Sequence, residues 1–453
     1  MKILIAGDGK VGMSLTRKLS SEGHDLTLID KDGNVIESIV EHYDVMAVQG
    51  NCASVDVLKH AGVMKADLLI AATSADEINL LCCMTAHGLN PNLHTIARIR
   101  NPEYDQQVYA MRELFALSMA FNPDKQAAQE CERLLKYPGF LKRDTFAKGR
   151  VEIVELRVLP DSKLKDVALN DLGDVVKCQI LVCAVSRDGE AVIPGGDFVL
   201  KEGDRIYVTA TSHNLTELLA NLGIITHRAK KIIMCGGGHI SYYLAERLLK
   251  SGIKITMIEN NKERCEELAT LLPSVDVVYG DGSNQELLES VGIDSCDALL
   301  TMMGFDEMNM IISLYGQRCK VPQIITKVDH TENRTIQDSL SLGSVICAKE
   351  LSCDIIVRYV RAMQNKTGAA LSIHGIADGQ IEALEFKIDS KVSHCKEPLK
   401  KLKIKKNVLV ACITHHSKTE LAYGDSTFEQ GDTVVVVTNQ GTVLRQFNDI
   451  FES

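Results

Sequence analysis

The sequence predicts an α/β protein made twice from the same parts: two Rossmann-like doubly wound parallel sheets, each followed by a small α+β domain. Three observations predict it. A short apolar run, Ile3 to Ala6, enters a loop with glycines at positions 7, 9 and 12 and continues into a helical pattern. That is the strand, turn and helix of a mononucleotide-binding unit. Apolar strands then alternate with helical segments as far as Lys136, as a doubly wound sheet requires. Finally, residues 231 to 453 repeat the landmarks of the first half in order, so the chain is a tandem duplication.

The elements of the first copy follow from local pattern. Gly7 permits the tight turn, Gly9 lets the backbone approach a pyrophosphate, and Gly12 lets the helix pack close to the strand. The N-terminus of that helix, with Asp8, Lys10 and Val11 around it, offers free N–H groups and a positive dipole end to phosphates. Asp25 to Asp30 is a second strand ending in an acid, placed where the fingerprint wants a carboxylate for ribose hydroxyls. Val45 to Gln49 is a third strand, with Asn51 and Cys52 just beyond it, near the expected adenine. Asp67 to Thr73 is the wholly apolar strand of a buried parallel sheet. Ser74 is the expected N-cap of the following helix, with Asp76 and Glu77 in its first turn. His94 to Arg98 and Phe115 to Phe121 are expected as fifth and sixth strands, and Pro123 to Lys136 as a helix ended by Tyr137-Pro-Gly139. Beyond it the texture changes to half-buried alternation over Val151 to Val158, a strand candidate over Val176 to Val185, and turn residues before Arg205 to Val208. These make a small module of about 80 residues.

The repeat keeps its register. Gly236, Gly238 and Ser241 answer Gly7, Gly9 and Gly12 at an offset of 229, and Glu259 answers Asp30. Asp281 answers Asn51, Asp306-Glu307-x-Asn309 answers Asp76-Glu77-x-Asn79, and Lys327 answers Arg98. Domain limits are expected at 1–138, 139–228, 229–366 and 367–453.

Composition excludes several classes. A net charge of −10 and a pI near 5.8 make a poor general binder of nucleic acid, although a small basic patch is compatible with them. No apolar run approaches the length that spans a bilayer, so no direct membrane insertion is expected. The fourteen cysteines include no C-x-x-C pair, which removes the usual zinc spacing and leaves reduced, mostly buried thiols.

The site candidates admit bland readings alongside functional ones. The first glycine loop with Asp30 points to an adenine nucleotide without a 2′-phosphate, either NAD or ATP, since both carry the same ribose. Thr73, Arg98 and Arg100 lie at the strand ends where ligands of open α/β sheets bind. A guanidinium fork there suits phosphate, and a surface salt bridge is the alternative. Asn51 and Asp281 could contact adenosine or serve only as turn residues. In the second copy Ser241 costs some helix–strand closeness, and His239, in the loop beside Ile240, could face phosphate or solvent. No catalytic constellation is present: the thirteen histidines share no repeated position, and no H-E-x-x-H or G-x-S-x-G occurs. A ligand sensor therefore fits better than a catalyst. An NAD-dependent oxidoreductase and a purely structural scaffold are the competing readings.

These residues resemble the regulator-of-potassium-conductance family, also described as KTN and TrkA-C domains, over essentially the whole chain. The resemblance rests on Gly7-Asp-Gly-Lys-Val-Gly12, Asp30, Ala71-Ala-Thr73 with Asp76-Glu77-x-Asn79, Ala97-Arg98 and Gly203-Asp204. It implies a non-enzymatic gating subunit that binds NAD(H) or ATP/ADP in the glycine-loop cleft. Gly7, Gly9, Gly12, Asp30, Thr73 and Arg98 would line the first cleft, and Gly236, Gly238, Glu259 and Lys327 the second. It further implies self-association into a ring, a homotetramer, docked on an integral membrane potassium channel or transporter subunit of the TrkH/TrkG type. The implied location is the cytoplasm, peripheral on the cytoplasmic face of the bacterial inner membrane. Asn51, where the family usually has aspartate, and Ser241 depart from its pattern and leave ligand choice at each site open.

Overall fold

A computed structural model describes residues 1–7, 9–136, 142–146, 151–223, 229–330, 340, 342–363, 370–416, 418–439, 442, 444 and 446–452. The chain divides into two compact units. Unit one holds residues 1–132 and 230–357, and unit two holds residues 133–229 and 358–453.

Unit one contains both Rossmann-like copies. The first runs β1 (Lys2–Ala6), α1 (Lys10–Ser21), β2 (Asp25–Asp30), α2 (Gly33–His42), β3 (Met46–Gln49), α3 (Val55–His60), β4 (Leu68–Ala71), α4 (Asp76–Leu89), β5 (His94–Arg98), α5 (Pro102–Ala110), β6 (Met119–Phe121) and α6 (Pro123–Lys136). Its six strands lie in the order β3-β2-β1-β4-β5-β6, all parallel. The order reverses between β1 and β4, the switch point where ligands of such sheets bind. Ile3, Ile5, Leu28, Leu68, Leu69 and Ile70 have no exposed surface, which explains why these strands read as continuous apolar runs.

Several expectations need correction. The sixth strand is confined to Met119–Phe121, because Phe115 and Ala116 belong to an irregular turn with Ala116 at φ 53°. The cap of α4 is Ala75 and makes no side-chain bond, so Ser74 is not the N-cap. Asn79 does that work from inside the helix, its Oδ1 accepting the N–H of Thr73 at 2.8 Å. The proposed end of α6 at Tyr137-Pro-Gly139 lies outside the described residues.

Unit two contains both small domains. The first has β7 (Lys142–Phe146), β8 (Val151–Arg157), α7 (Leu172–Val176), β9 (Leu181–Arg187), β10 (Glu190–Val192), β11 (Arg205–Ala210) and α8 (Ser212–Asn221), with strand order β10-β9-β11-β8-β7. The strand expected from Val176 starts later. Val176 is buried in the last turn of α7, Lys177 ends that helix at φ 51°, and β9 begins at Leu181.

The second Rossmann-like copy, in unit one, repeats the first with β12 (Lys231–Cys235), α9 (His239–Leu249), β13 (Lys254–Glu259), α10 (Lys262–Leu271), β14 (Asp276–Tyr279), α11 (Gln285–Ser290), β15 (Ala298–Thr301), α12 (Asp306–Arg318), β16 (Gln323–Lys327), β17 (Ser344–Ile346) and a long helix, Ala348–Met363. Its sheet has the matching order β14-β13-β12-β15-β16-β17. The second small domain in turn has β18 (Ala370–Ile376), β19 (Ile381–Lys387), β20 (Val408–His415), β21 (Lys418–Leu421) and β22 (Thr433–Asn439), ordered β18-β19-β22-β20-β21. The two small sheets share one core, in which Ile153, Cys183 and Tyr207 pack with Ile381, Ala411 and Val435. Among the described residues no helix is long and apolar enough to cross a membrane.

Candidate nucleotide-binding clefts

The first cleft is built on Gly7. It sits at φ +88°, and a Cβ there would fall 2.7 Å from the Cα and N of Thr73, so glycine is required twice over. Its N–H donates to the carbonyl of Ile29 at 2.8 Å, which pins the loop to the end of β2. Gly9 is different. It caps α1 in extended conformation without a side-chain bond, and a Cβ there would meet nothing within 4 Å. The space above the loop is open, and the first-turn N–H groups of a 12-residue helix face it. Val11 and Gly12 are buried and anchor the helix start. Asp8 lies outside the described residues, and of Lys10 only the backbone is described.

Asp30 ends β2, and its carboxylate accepts the N–H of Asp32 at 2.9 Å. Asn51, exposed, accepts the N–H of Ala53 at 3.1 Å, and Asp281 accepts that of Ser283 at 2.8 Å. Both thus act as turn formers at the mouths of their clefts. Cys52 is buried in the core under the first cleft, where its hydrogen bond with Cys82 holds it below the ordinary thiol value and raises Cys82.

Two arginines dominate the far side. Arg98 donates through Nη2 to the carbonyl of Thr73, and Arg100 through Nη2 to that of Ser74 at 3.2 Å. Neither Nε, each buried, has a hydrogen-bond partner. Burial, and then the charge of Arg100, lower the Arg98 pKa to about 10, with Asp76 and Asp124 opposing the shift. Two cations side by side, with donors left over, form a receptor for an anion with several oxygens. The orphaned Nε atoms and the open space over Gly9 fit the phosphates of a nucleotide.

The floor between these groups comes from Asp76 and Asn79, which stand out in the sequence as part of a repeated helix start rather than as site residues. Asp76, 7% exposed, accepts the N–H groups of Arg100 and Asn101, each at 2.8 Å. Asn79, fully buried, donates to the Arg98 carbonyl at 2.9 Å. Together they lock the β4 and β5 ends into one rigid edge. Their repetition as Asp306 and Asn309 was the available signal.

The second cleft has the same frame. A Cβ on Gly236 would fall 2.9 Å from the Met302 carbonyl, Gly238 is open like Gly9, and Ile240 is buried like Val11. Asp306 accepts the N–H groups of Asp329 and His330 at 2.8 Å, and Asn309 donates to the Lys327 carbonyl at 3.0 Å. Ser241 is buried without strain, because its hydroxyl donates to the Gly236 carbonyl at 2.5 Å. Glu259 accepts the N–H of Gly237 at 2.7 Å and that of Asn261 at 2.8 Å. His239 is the first residue of α9 rather than part of the loop, and its Nδ1 lies 3.4 Å from Asp124 of the first copy. Lys327 Nζ pairs with Asp329 at 3.1 Å. The copies also meet behind the first cleft, where Tyr243 donates to the Arg100 carbonyl at 3.0 Å and accepts from Asn122 at 3.0 Å.

A duplicated Rossmann-like ligand-binding protein with a small domain after each copy is the class that fold and clefts define. Comparison with known proteins narrows it. The TrkA-N domain family matches residues 3–118 and 232–348, and the TrkA-C domain family matches residues 153–223. A Trk system potassium uptake protein TrkA homolog of Archaeoglobus fulgidus is 30% identical over 436 residues, 96% of this chain and 97% of its own length. The Trk system potassium uptake protein TrkA of Haemophilus influenzae is 27% identical, with 100% and 99% covered. Among solved structures, the GsuK RCK domain superposes with a TM-score of 0.62 at 16% identity, covering 97% of this chain and 92% of that one. The GsuK channel bound to NAD gives 0.61 at 16% identity, covering 97% and 77%. The chain belongs to the TrkA family of Trk potassium uptake proteins.

Proposed function

We propose that this chain is a regulator of potassium transport that senses a nucleotide, NAD(H) or ATP/ADP, and passes its occupancy to a membrane partner. The observation that carries the reading is the pair Arg98 and Arg100, with two unpartnered buried Nε atoms, across from the open loop at Gly9. Asp30 would take the ribose hydroxyls, and the α1 N-terminus with the two arginines would take the phosphates. In the second copy Glu259 would take the ribose hydroxyls of a ligand, with Gly236 and Gly238 forming the loop beside it. The relatives' names support potassium uptake as the process, and the solved GsuK channel bound to NAD supports the ligand class.

The partner in this reading is a membrane potassium channel or transporter subunit of the TrkH/TrkG type. The chain works as a homotetrameric ring on the cytoplasmic face of the membrane, and it is not an enzyme. Among the described residues its clefts offer fixed backbone donors and cations and bring no nucleophile and base together. The physical mechanism is population shift: a ligand moves the ring only through its different affinity for two ring shapes, about 1–3 kcal/mol per site.

Titration with ATP, ADP and NAD(H) tests the reading. A saturable rise in melting temperature is expected, and it should fall away in Arg98→Ala/Arg100→Ala. Steady NADH turnover with carbonyl substrates would instead favour the oxidoreductase.

A further inference from the structure

The two clefts differ in charge at two matched places, both in the same direction. The first is Arg100, whose counterpart past the end of β16 is Asp329, while Arg98 beside it is matched by Lys327 and keeps its charge. The match is structural as well as sequential, because Asp76 holds the main-chain N–H of Arg100 as Asp306 holds that of Asp329, both at 2.8 Å. In the first copy two cations crowd each other and retain unpartnered donors. In the second, a lysine lies 3.1 Å from a carboxylate and the pair is neutral.

The second place lies on the helix that each copy sets beside the first helix of the other. α6 runs beside α9, with Asp124 Oδ2 3.4 Å from His239 Nδ1 and Glu132 2.5 Å from Arg247. The helix Ala348–Met363 runs beside α1, with Cys353 Sγ 3.7 Å from the Val11 carbonyl and Asp354 2.5 Å from Lys18. Three residues past the preceding strand, α6 carries Asp124, whereas Ala348–Met363 carries Lys349. A carboxylate is thus brought to the N-terminal end of α9, and a lysine stands at the equivalent register beside α1. The anion-attracting end of α9 already faces an anion.

We propose that the first cleft accepts the phosphate tail of an adenine nucleotide and the second rejects it, with Asp124 and Asp329 as the residues that exclude it. This rests on the nucleotide-sensing reading above and sharpens it to one phosphate-bearing ligand per chain. The reason is electrostatic. A di- or triphosphate at α9 would stand beside two carboxylates with one lysine already engaged. At α1 it meets two guanidiniums with spare donors. Asp124 also opposes the lowering of the Arg98 pKa, but it is the smallest of the named contributions and Asp76 opposes the lowering more strongly. Removing Asp124 therefore opens the second cleft without disabling the first.

Calorimetric titration of the full chain with ATP, and separately with NAD, tests this through stoichiometry. The unaltered chain is expected to bind one equivalent. Asp124→Asn/Asp329→Arg is expected to bind a second, at least about tenfold tighter than any second binding by the unaltered chain. Arg98→Lys/Arg100→Asp, which gives the first cleft the side chains of the second, is expected to weaken the first equivalent by about a hundredfold. The milder Asp329→Asn, which preserves side-chain shape, is expected to gain part of the second equivalent. Two equivalents of similar affinity on the unaltered chain, or one unchanged equivalent on Asp124→Asn/Asp329→Arg, would overturn the exclusion while leaving nucleotide sensing intact. No binding by the unaltered chain would overturn both.

Discussion

The two Rossmann-like copies keep their frames and change their charges. Gly7 and Gly236 occupy the same left-handed turn, pressed against the start of the β4–α4 and β15–α12 loops. Asp76 and Asp306 hold the same pair of main-chain N–H groups, and Asn79 and Asn309 bond the same two carbonyls. The side chains mounted on that frame have diverged. Arg98 and Arg100 face Lys327 and Asp329 across the duplication, and Thr73 faces Met303. Backbone groups buried at a strand end need partners in either copy, whereas the charge above them answers only to a ligand. A duplicated fold can therefore drift in what it binds while its scaffold stays fixed.

On that division, the largest effects on stability belong to the frame. Gly7→Ala places a Cβ 2.7 Å from Thr73 backbone atoms and forces a residue with φ +88° into a region alanine avoids. About 3 kcal/mol or more should be lost in urea unfolding of the chain. Gly236→Ala should cost a similar amount, since a Cβ there falls 2.9 Å from the Met302 carbonyl. A large loss in one copy and a negligible one in the other would break the claim of a common frame.

The buried side chains that tie strand ends together come next. Asn79→Ala leaves the Thr73 N–H and the Arg98 carbonyl without their partner in a fully buried position. About 2 kcal/mol is expected for Asn79→Ala and a like amount for Asn309→Ala. Only the first should also weaken nucleotide binding, because it alone supports an arginine pair. Equal damage to binding from both substitutions would put the ligand's phosphates in both clefts.

Much of this is legible in the sequence. The limits of β2 and β5 and the start of α6 follow from apolar runs and helix signals, and the glycine loops from the left-handed turn they require. What was misread has physical causes. Ser74 looks like a cap, but Asn79 bonds the loop from inside the helix, a contact six residues away that a capping rule does not consider. Val176 looks like the start of a strand, but the core of the first small domain takes it from a short helix. Asp329 was visible two residues after Lys327, yet its meaning depends on the 3.1 Å pairing. Asp124 and Tyr243 act across more than a hundred residues of chain, and no local pattern announces them.

The smallest stability effect separates most cleanly the two roles a loop glycine can have. Gly9 sits in an extended conformation open to any residue, and among the described residues beyond its chain neighbours a Cβ there meets nothing within 4 Å. Alanine loses the slight N-cap advantage of glycine but also removes backbone freedom from the unfolded chain, and the two offset to within about 1 kcal/mol. The melting temperature of Gly9→Ala alone should therefore barely move. Its shift on adding ATP or NAD should collapse, because the new methyl occupies the path by which a phosphate reaches the first turn of α1. Gly238→Ala has the same geometry at α9 and is expected to change neither quantity while the second cleft excludes phosphate. A collapse at Gly238 equal to that at Gly9 would mean that Asp124 and Asp329 do not keep the tail out, and the two copies would have to be treated as equivalent sites.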